Sequence, residues 1–184
     1  MAPKMRHKFT KAVIKSNKPN PAAVVCLFFP NHSGEAQFLL ILRSHYDGTH
    51  ASQYGFPGGK KDSSDSTLEV TARRETFEEV GIPMQDVQLI RRMSHTYIPP
   101  SNFLVTPFIG LIDYQPEFTP NHEVAEIIQI PLQAFLDDNC ITTMLAANSY
   151  AGTIETPCFL LEGAEVWGAT AMMLNEIREL LKEI

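Results

Sequence analysis

Arg74, Glu75, Glu78 and Glu79 place three carboxylates and a guanidinium within a stretch that reads as a helix. Carboxylates one helical turn apart can converge on a single hard cation, and Mg²⁺ or Mn²⁺ held by oxygen ligands commonly bridges to substrate phosphates. Upstream lies Gly55-Phe56-Pro57-Gly58-Gly59, whose glycines allow close backbone approach and whose Gly59 carbonyl could add a ligand. At 100° per residue, with Glu75 at 0°, Glu79 falls at about 40° and Glu78 at about 300°, while Phe77, Val70 and Val80 fall between about 140° and 220°. Acids and apolar residues are therefore expected on opposite faces. A solvated acidic face is the plain alternative, because like charges at these spacings repel by only roughly a few tenths of a kcal/mol. Two features favour a cation site: the cluster lies in the later turns, where the helix dipole disfavours anions, and it follows a glycine-rich loop. Arg74 stands four residues before Glu78, placed to hold that carboxylate or a loop acid rather than to touch a substrate. His50 and His95 are single histidines and stay outside the catalytic set.

The elements that must position these groups follow from pattern. Ala22 to Phe29 predicts a buried strand, and Pro30-Asn31-His32-Ser33-Gly34 a turn into a second strand, Gln37 to Arg43, the two forming a hairpin. Ser44 to Ser66 predicts a long, functional loop around the glycines. A helix over about 67–80 is predicted from Ser66 as N-cap with Glu69 three residues on, and from Gly81 and Pro83 at its end. Strands follow at Val87 to His95, Phe103 to Asp113 and Val124 to Ile130, with Pro107 predicting an edge or bulge. A short helix at Leu132 to Leu136, a strand near Pro157 to Leu161 and a helix from about Ala169 to Lys182 complete the chain. The class is α/β or α+β, a sheet between helices.

The chain has 184 residues, the size of one domain, with 44% hydrophobic and 20% charged residues, the composition of a globular protein. We expect a basic N-terminal segment over 1–20 and a single domain over 21–184. The net charge is −6, but the first twenty residues hold six Lys and Arg and no acid, so the rest carries nine basic against 21 acidic residues, near −12. That acidity argues against nucleic acid or an anionic membrane as partner, and an anionic substrate would need a cation to mediate. Cys26, Cys140 and Cys158 are scattered without metal-binding spacing, which fits a cytoplasmic setting. No apolar run approaches the roughly 20 residues of a membrane span. Glu123, before the Val124 strand, is a further acid in reach of a general-base role; a solvated loop residue is its alternative. The oligomeric state is left open and a homodimer is compatible with it.

Gly59, Arg74-Glu75, Glu78-Glu79 and Gly81-Ile82 resemble the Nudix box of the Nudix hydrolase superfamily. Asp65 stands where that pattern has Glu, eight rather than seven residues separate it from Arg74, and Thr76 occupies an apolar position. These departures resemble the coenzyme A pyrophosphatase branch, as do Phe56 to Lys60, Asp62 with Asp65, Thr71 to Glu75, Leu39 to Ser44, His50 to Gln53, Glu123 to Leu132 and Val166 to Thr170. The resemblance implies an α/β/α sandwich with a mixed central sheet, and a pyrophosphohydrolase acting on a nucleotide-diphosphate small molecule. It implies that Gly59, Glu75, Glu78 and Glu79 hold Mg²⁺ or Mn²⁺, that Glu75, Glu78, Glu79, Arg74 and Glu123 form the catalytic set, and that Arg43, Phe56, Gly58 and Lys60 meet substrate. The expected reaction is cleavage of coenzyme A or its derivatives to 3′,5′-ADP and 4′-phosphopantetheine. Absence of further upstream arginines for a 3′-phosphate keeps open a Nudix diphosphatase acting on NADH, ADP-ribose or damaged nucleotides. A non-catalytic nucleotide-binding module is the third reading, opposed by the presence of all three glutamates.

Overall fold

The computed structural model describes residues 16–44, 53–148 and 152–183. Most of the basic N-terminal segment, and His50-Ala51-Ser52, lie outside the described residues. The unbroken apolar run from Ala22 forms β1 (Asn20–Pro30), buried on both faces as a central strand requires. Ala23, Val25, Leu27 and Phe29 enter one core, and Ala22, Val24, Cys26 and Phe28 enter another. The predicted hairpin is present: β2 (Ala36–Arg43) runs antiparallel, pairing Phe38 with Phe28. Its turn is held by Asn31, whose Oδ1 accepts from the N–H of Ser33 and of Glu35 at 2.9 Å, while Gly34 adopts φ +81°.

Beyond Phe38 the strands β1 and β2 diverge. The fork is filled by β3 (Tyr54–Gly55), paired with β2, and β4 (Gly58–Lys60), paired with β1. The glycine-rich stretch expected as loop is therefore part of the sheet. On the other side of β1 runs β7 (Phe103–Leu111), parallel to it, bearing β5 (Gln88–Arg92) and β6 (Thr96–Ile98) antiparallel. β8 (Val124–Pro131) pairs with the outer side of β2. Pro107 does not mark an edge. It falls between the stretches of β7 that pair with β5 and with β6, its carbonyl accepts from Met93 N–H at 2.9 Å, and the register shift lies in β5 between Leu89 and Arg91. A missing N–H is tolerated there because no ladder bond is demanded of it.

Among the described residues, the helices α1 (Leu68–Val80), the short α2 (Leu132–Leu136) and α3 (Gly168–Lys182) cover this mixed sheet. Ala72 and Val80 of α1 pack into one core, and Ala171, Met173, Leu174 and Ile177 of α3 into the other. A second sheet, of β9 (Ile141–Asn148), β10 (Gly152–Leu161) and β11 (Ala164–Val166), was foreseen only at Pro157 to Leu161. Buried Arg178 ties α3 to α2, donating to the carbonyls of Phe135 and Leu136 at 2.9 Å each and to Asp138 at 2.6 Å.

Two details of α1 differ from expectation. The N-cap is Thr67, not Ser66, its hydroxyl accepting from Val70 N–H at 3.3 Å. The buried face is Thr71, Ala72, Thr76, Glu79 and Val80, while Phe77 is 51% exposed. Small residues let the helix lie close to β1 and β4, and Thr76 satisfies its hydroxyl on the Ala72 carbonyl at 2.7 Å. Counting only apolar residues misplaced the face by overlooking Thr. The helix ends as predicted, at Gly81, with φ +80° and its N–H on the Phe77 carbonyl.

Candidate active site

The inward rotation of α1 turns its acids toward the fork. Arg74 is the hub of the cluster. Its Nε and Nη2 grip buried Asp65 at 3.0 and 2.9 Å, Nη1 donates to Glu78 Oε2 at 2.8 Å, and Nη2 lies 2.9 Å from Glu75 Oε1. Asp65 also accepts from Thr71 Oγ1 and from the Asp62 N–H, each at 2.9 Å. This network holds the Asp65 carboxyl well below the usual carboxylate range, chiefly through Arg74, and raises the guanidinium's own pKa. The expectation that Arg74 grips Glu78 or a loop acid is met by both at once. Asp62 and Asp65 do not add free charge to an anionic pocket: Asp65 is engaged by Arg74, and Asp62 accepts from Ser64 N–H in its own turn.

Glu75 is half-buried against the fork. A Cβ on Gly59 would meet its Oε2 at 2.5 Å, so glycine is what admits this carboxylate to the β4 backbone. Glu79 is 2% exposed. Its Oε2 accepts from Gly58 N–H at 2.7 Å and its Oε1 lies 3.2 Å from Arg43 Nη1. Burial pushes the Glu79 carboxyl up to about 7; Arg43 and the Gly58 N–H pull it down, and Glu75 and Glu123 add repulsion. Glu75 is likewise raised, first by burial, against the opposing pull of Arg74. Glu78, by contrast, is largely exposed.

Glu123 reaches this end of α1 through a loop that caps the helix. Thr119 N–H donates to Val80 O at 3.0 Å and Asn121 N–H to Glu79 O at 3.1 Å, while Asn121 Oδ1 accepts from Glu123 N–H at 2.8 Å. The Glu123 carbonyl in turn accepts from Ser44 N–H at 2.8 Å. Its side chain stays exposed.

The four residues expected at the substrate are placed differently from one another. Lys60 is exposed at the end of β4. Phe56 is 2% exposed and packs in the α3-side core, so its ring meets protein rather than an open face. The Gly58 N–H donates to Glu79 and its carbonyl accepts from Arg43 Nη2, each at 2.7 Å. Arg43 continues the β2 face of Leu39 and Ile41, toward α1, and both terminal nitrogens have protein partners. These three serve the fork itself, a use that depends on which strands meet and leaves no local mark in sequence. Asp65 is the site residue that pattern undervalued; its signal was the acid six positions after Gly59.

Glu75, Glu78, Glu79 and the Gly59 carbonyl, the set expected to hold a cation, are all oxygen donors, the chemistry a hard divalent cation takes. Burial is the first cause that raises the Glu75 and Glu79 pKa values, with repulsion between neighbouring acids behind it, and a bound cation would offset both, so the donor chemistry fits. Among the described residues no three His, Cys, Asp or Glu side chains converge as they stand, and Glu75, Glu78 and Glu79 each have an arginine partner. A separate groove of about 580 Å³, lined by Phe28, Phe29, Asp86, Gln88, Leu111 and Ile112, opens at the far end of β1 from Gly58. No helix among the described residues is long and apolar enough to cross a membrane.

Comparison with known proteins bears on the family and the fold. A family model described as NUDIX domain matches residues 19–142. The uncharacterized Nudix hydrolase NudL of Pectobacterium atrosepticum is 44% identical over 145 residues, covering 76% of this chain and 72% of the relative. Its namesake in Yersinia enterocolitica is 34% identical over 148 residues, covering 79% and 74%. Among solved structures, the Nudix hydrolase RenU of M. smegmatis superposes with a TM-score of 0.63 at 20% identity, covering 90% of this chain and 88% of that one. The NUDIX domain of Shewanella oneidensis NrtR, complexed with ADP ribose, gives 0.59 at 17% identity, covering 94% and 99%. At such identities the likeness is one of fold.

Proposed function

The chain belongs to the Nudix hydrolases, a family of pyrophosphohydrolases that typically use a divalent metal, and on that premise we propose that it cleaves the diphosphate of coenzyme A or its derivatives to 3′,5′-ADP and 4′-phosphopantetheine. The observation that carries the reading is the Phe56 to Glu79 stretch, in which an acidic helix face is turned against the Gly58-Gly59 strand.

Glu75, Glu78, Glu79 and the Gly59 carbonyl hold Mg²⁺ or Mn²⁺ in this reading. The chemistry supplied by such an ion when bound is neutralisation of the diphosphate and a lowered pKa for water. Arg74, anchored on Asp65, keeps Glu75 and Glu78 in place and does not touch substrate. Glu123, exposed beside the helix end, takes the proton of the attacking water as its oxygen bonds to phosphorus and the bridging P–O bond breaks. Lys60 faces the diphosphate as a point charge. Most of the rate gain comes from alignment and charge, since phosphoryl transfer asks little covalent help of the protein. The setting proposed is cytoplasmic, consistent with three free, buried cysteines.

A second reading, a diphosphatase acting on NADH, ADP-ribose or damaged nucleotides, is favoured by one observation: Arg43 is already engaged by Gly58 and Glu79, so a 3′-phosphate would have to share it with them. Incubation with coenzyme A and Mg²⁺, read by chromatography, tests the first; we expect 3′,5′-ADP. No such product, with hydrolysis of ADP-ribose or NADH in a parallel panel, would replace it with the second. No turnover of any diphosphate would leave a binding module.

A further inference from the structure

Three groups from three elements close a ring around the buried end of the site. Glu79 Oε2 on α1 accepts from the Gly58 N–H of β4 at 2.7 Å, the Gly58 carbonyl accepts from Arg43 Nη2 of β2 at 2.7 Å, and Arg43 Nη1 returns to Glu79 Oε1 at 3.2 Å. Every member is constrained. Gly58 holds φ +144°, and any Cβ there would run into the Ala23 carbonyl and Val24 of β1. Glu79 is 2% exposed, and each of its oxygens has one partner in the ring, which leaves lone pairs for a further ligand. Arg43 ends β2, past the divergence from β1, at a register shift against β8 between Leu42 and Arg43, the kind of irregularity that aims a side chain beside an active site. The planar guanidinium offers each partner its own nitrogen in a fixed fork, which a single ammonium on a flexible stem does not.

We infer that Arg43 is a positioning residue, not a substrate contact: it closes this ring and so fixes the Glu79 carboxylate and the Gly58-Gly59 strand relative to each other. The ring engages both terminal nitrogens, so a substrate phosphate that met Arg43 would have to share the guanidinium with Gly58 and Glu79. The inference rests on the hydrolytic reading above for its kinetic consequence, but the ring itself can be examined without turnover.

The test compares full-length wild type with Arg43→Gln and Arg43→Lys. Steady-state kinetics use coenzyme A with Mg²⁺, or whichever diphosphate the panel shows to be cleaved, and amide exchange at Gly58 is followed by NMR or mass spectrometry. We expect kcat to fall about tenfold or more in both variants with KM within about twofold, because misplacing a reacting group costs rate rather than affinity. Gly58 exchange should quicken about tenfold in both, lysine failing to rescue. Should Arg43→Gln not fold, Arg43→Lys carries both readouts. A raised KM with kcat intact would assign Arg43 to substrate and overturn the inference. So would unchanged Gly58 exchange. Absence of turnover in the wild type would overturn the hydrolytic reading, leaving the exchange comparison to decide the ring.

Discussion

Glu79 couples the chemistry of the site to pH. Its carboxyl titrates near 7 in the fold against an ordinary 4.5, so between those values the folded chain binds a proton that the unfolded chain does not. Its contribution to stability is complete below about pH 4.5 and is lost as pH rises through 7. Asp65 acts oppositely, stabilising above its ordinary 3.8 and failing only in acid. In EDTA, Glu79→Gln should therefore gain thermal stability relative to wild type as pH rises from about 5 to about 8. A difference that stays constant across that range would contradict the burial account. With Mg²⁺ present the same variant should fold yet lose about 100-fold or more in kcat, through lost metal binding and alignment; wild-type turnover would refute the metal assignment. Gly59→Ala places a methyl against Glu75 Oε2, the free end of a flexible side chain. The fold should lose about 1 kcal/mol or less by urea titration, while displacement of Glu75 lowers kcat about tenfold.

Between elements, the contacts that orient the site are polar and few. Asp65 with Arg74 pins the start of α1 to the strand end at Lys60, and the 119–123 loop takes up carbonyls at its finish. On the opposite layer, Arg178 joins α3 to the end of α2 by bonds to Phe135, Leu136 and Asp138. Arg178→Ala leaves buried carbonyls without a donor and should cost about 3 kcal/mol in urea denaturation. A loss below about 1 kcal/mol would mean that water replaces the guanidinium and that α2 is held by apolar packing of Phe135 and Leu132.

For the molecule as a whole, the acidic body near −12 has a thermodynamic consequence. A cation that binds the folded chain and not the unfolded one adds RT ln(1 + [L]/Kd), about 1.4 kcal/mol at tenfold over Kd. For a chain of this size that raises the thermal midpoint by about 3–5 °C. Mg²⁺ titrated into metal-free protein should produce this shift, and Glu79→Gln should diminish it. Equal shifts in both proteins would point to diffuse screening of the acidic surface instead of a site on α1.

Features decided by neighbours along the chain were legible in the sequence by itself. The apolar run of β1, the turn after Pro30, the stop of α1 at Gly81, and the carboxylate cluster behind paired glycines each follow from local sterics, hydrogen bonding and charge, and together they indicated a sheet between helices. What only the tertiary structure decided depends on which distant segments meet. The divergence of β1 and β2 drew Phe56-Pro57-Gly58-Gly59 into the sheet, buried the Phe56 ring, and turned Arg43 inward onto Gly58 and Glu79. Small buried threonines rotated α1 so that Glu79 faces protein and Phe77 faces water. No periodicity within one helix contains that outcome, because the side a helix buries is set by how closely its partner strand approaches, and a carboxylate's charge by what that approach places beside it.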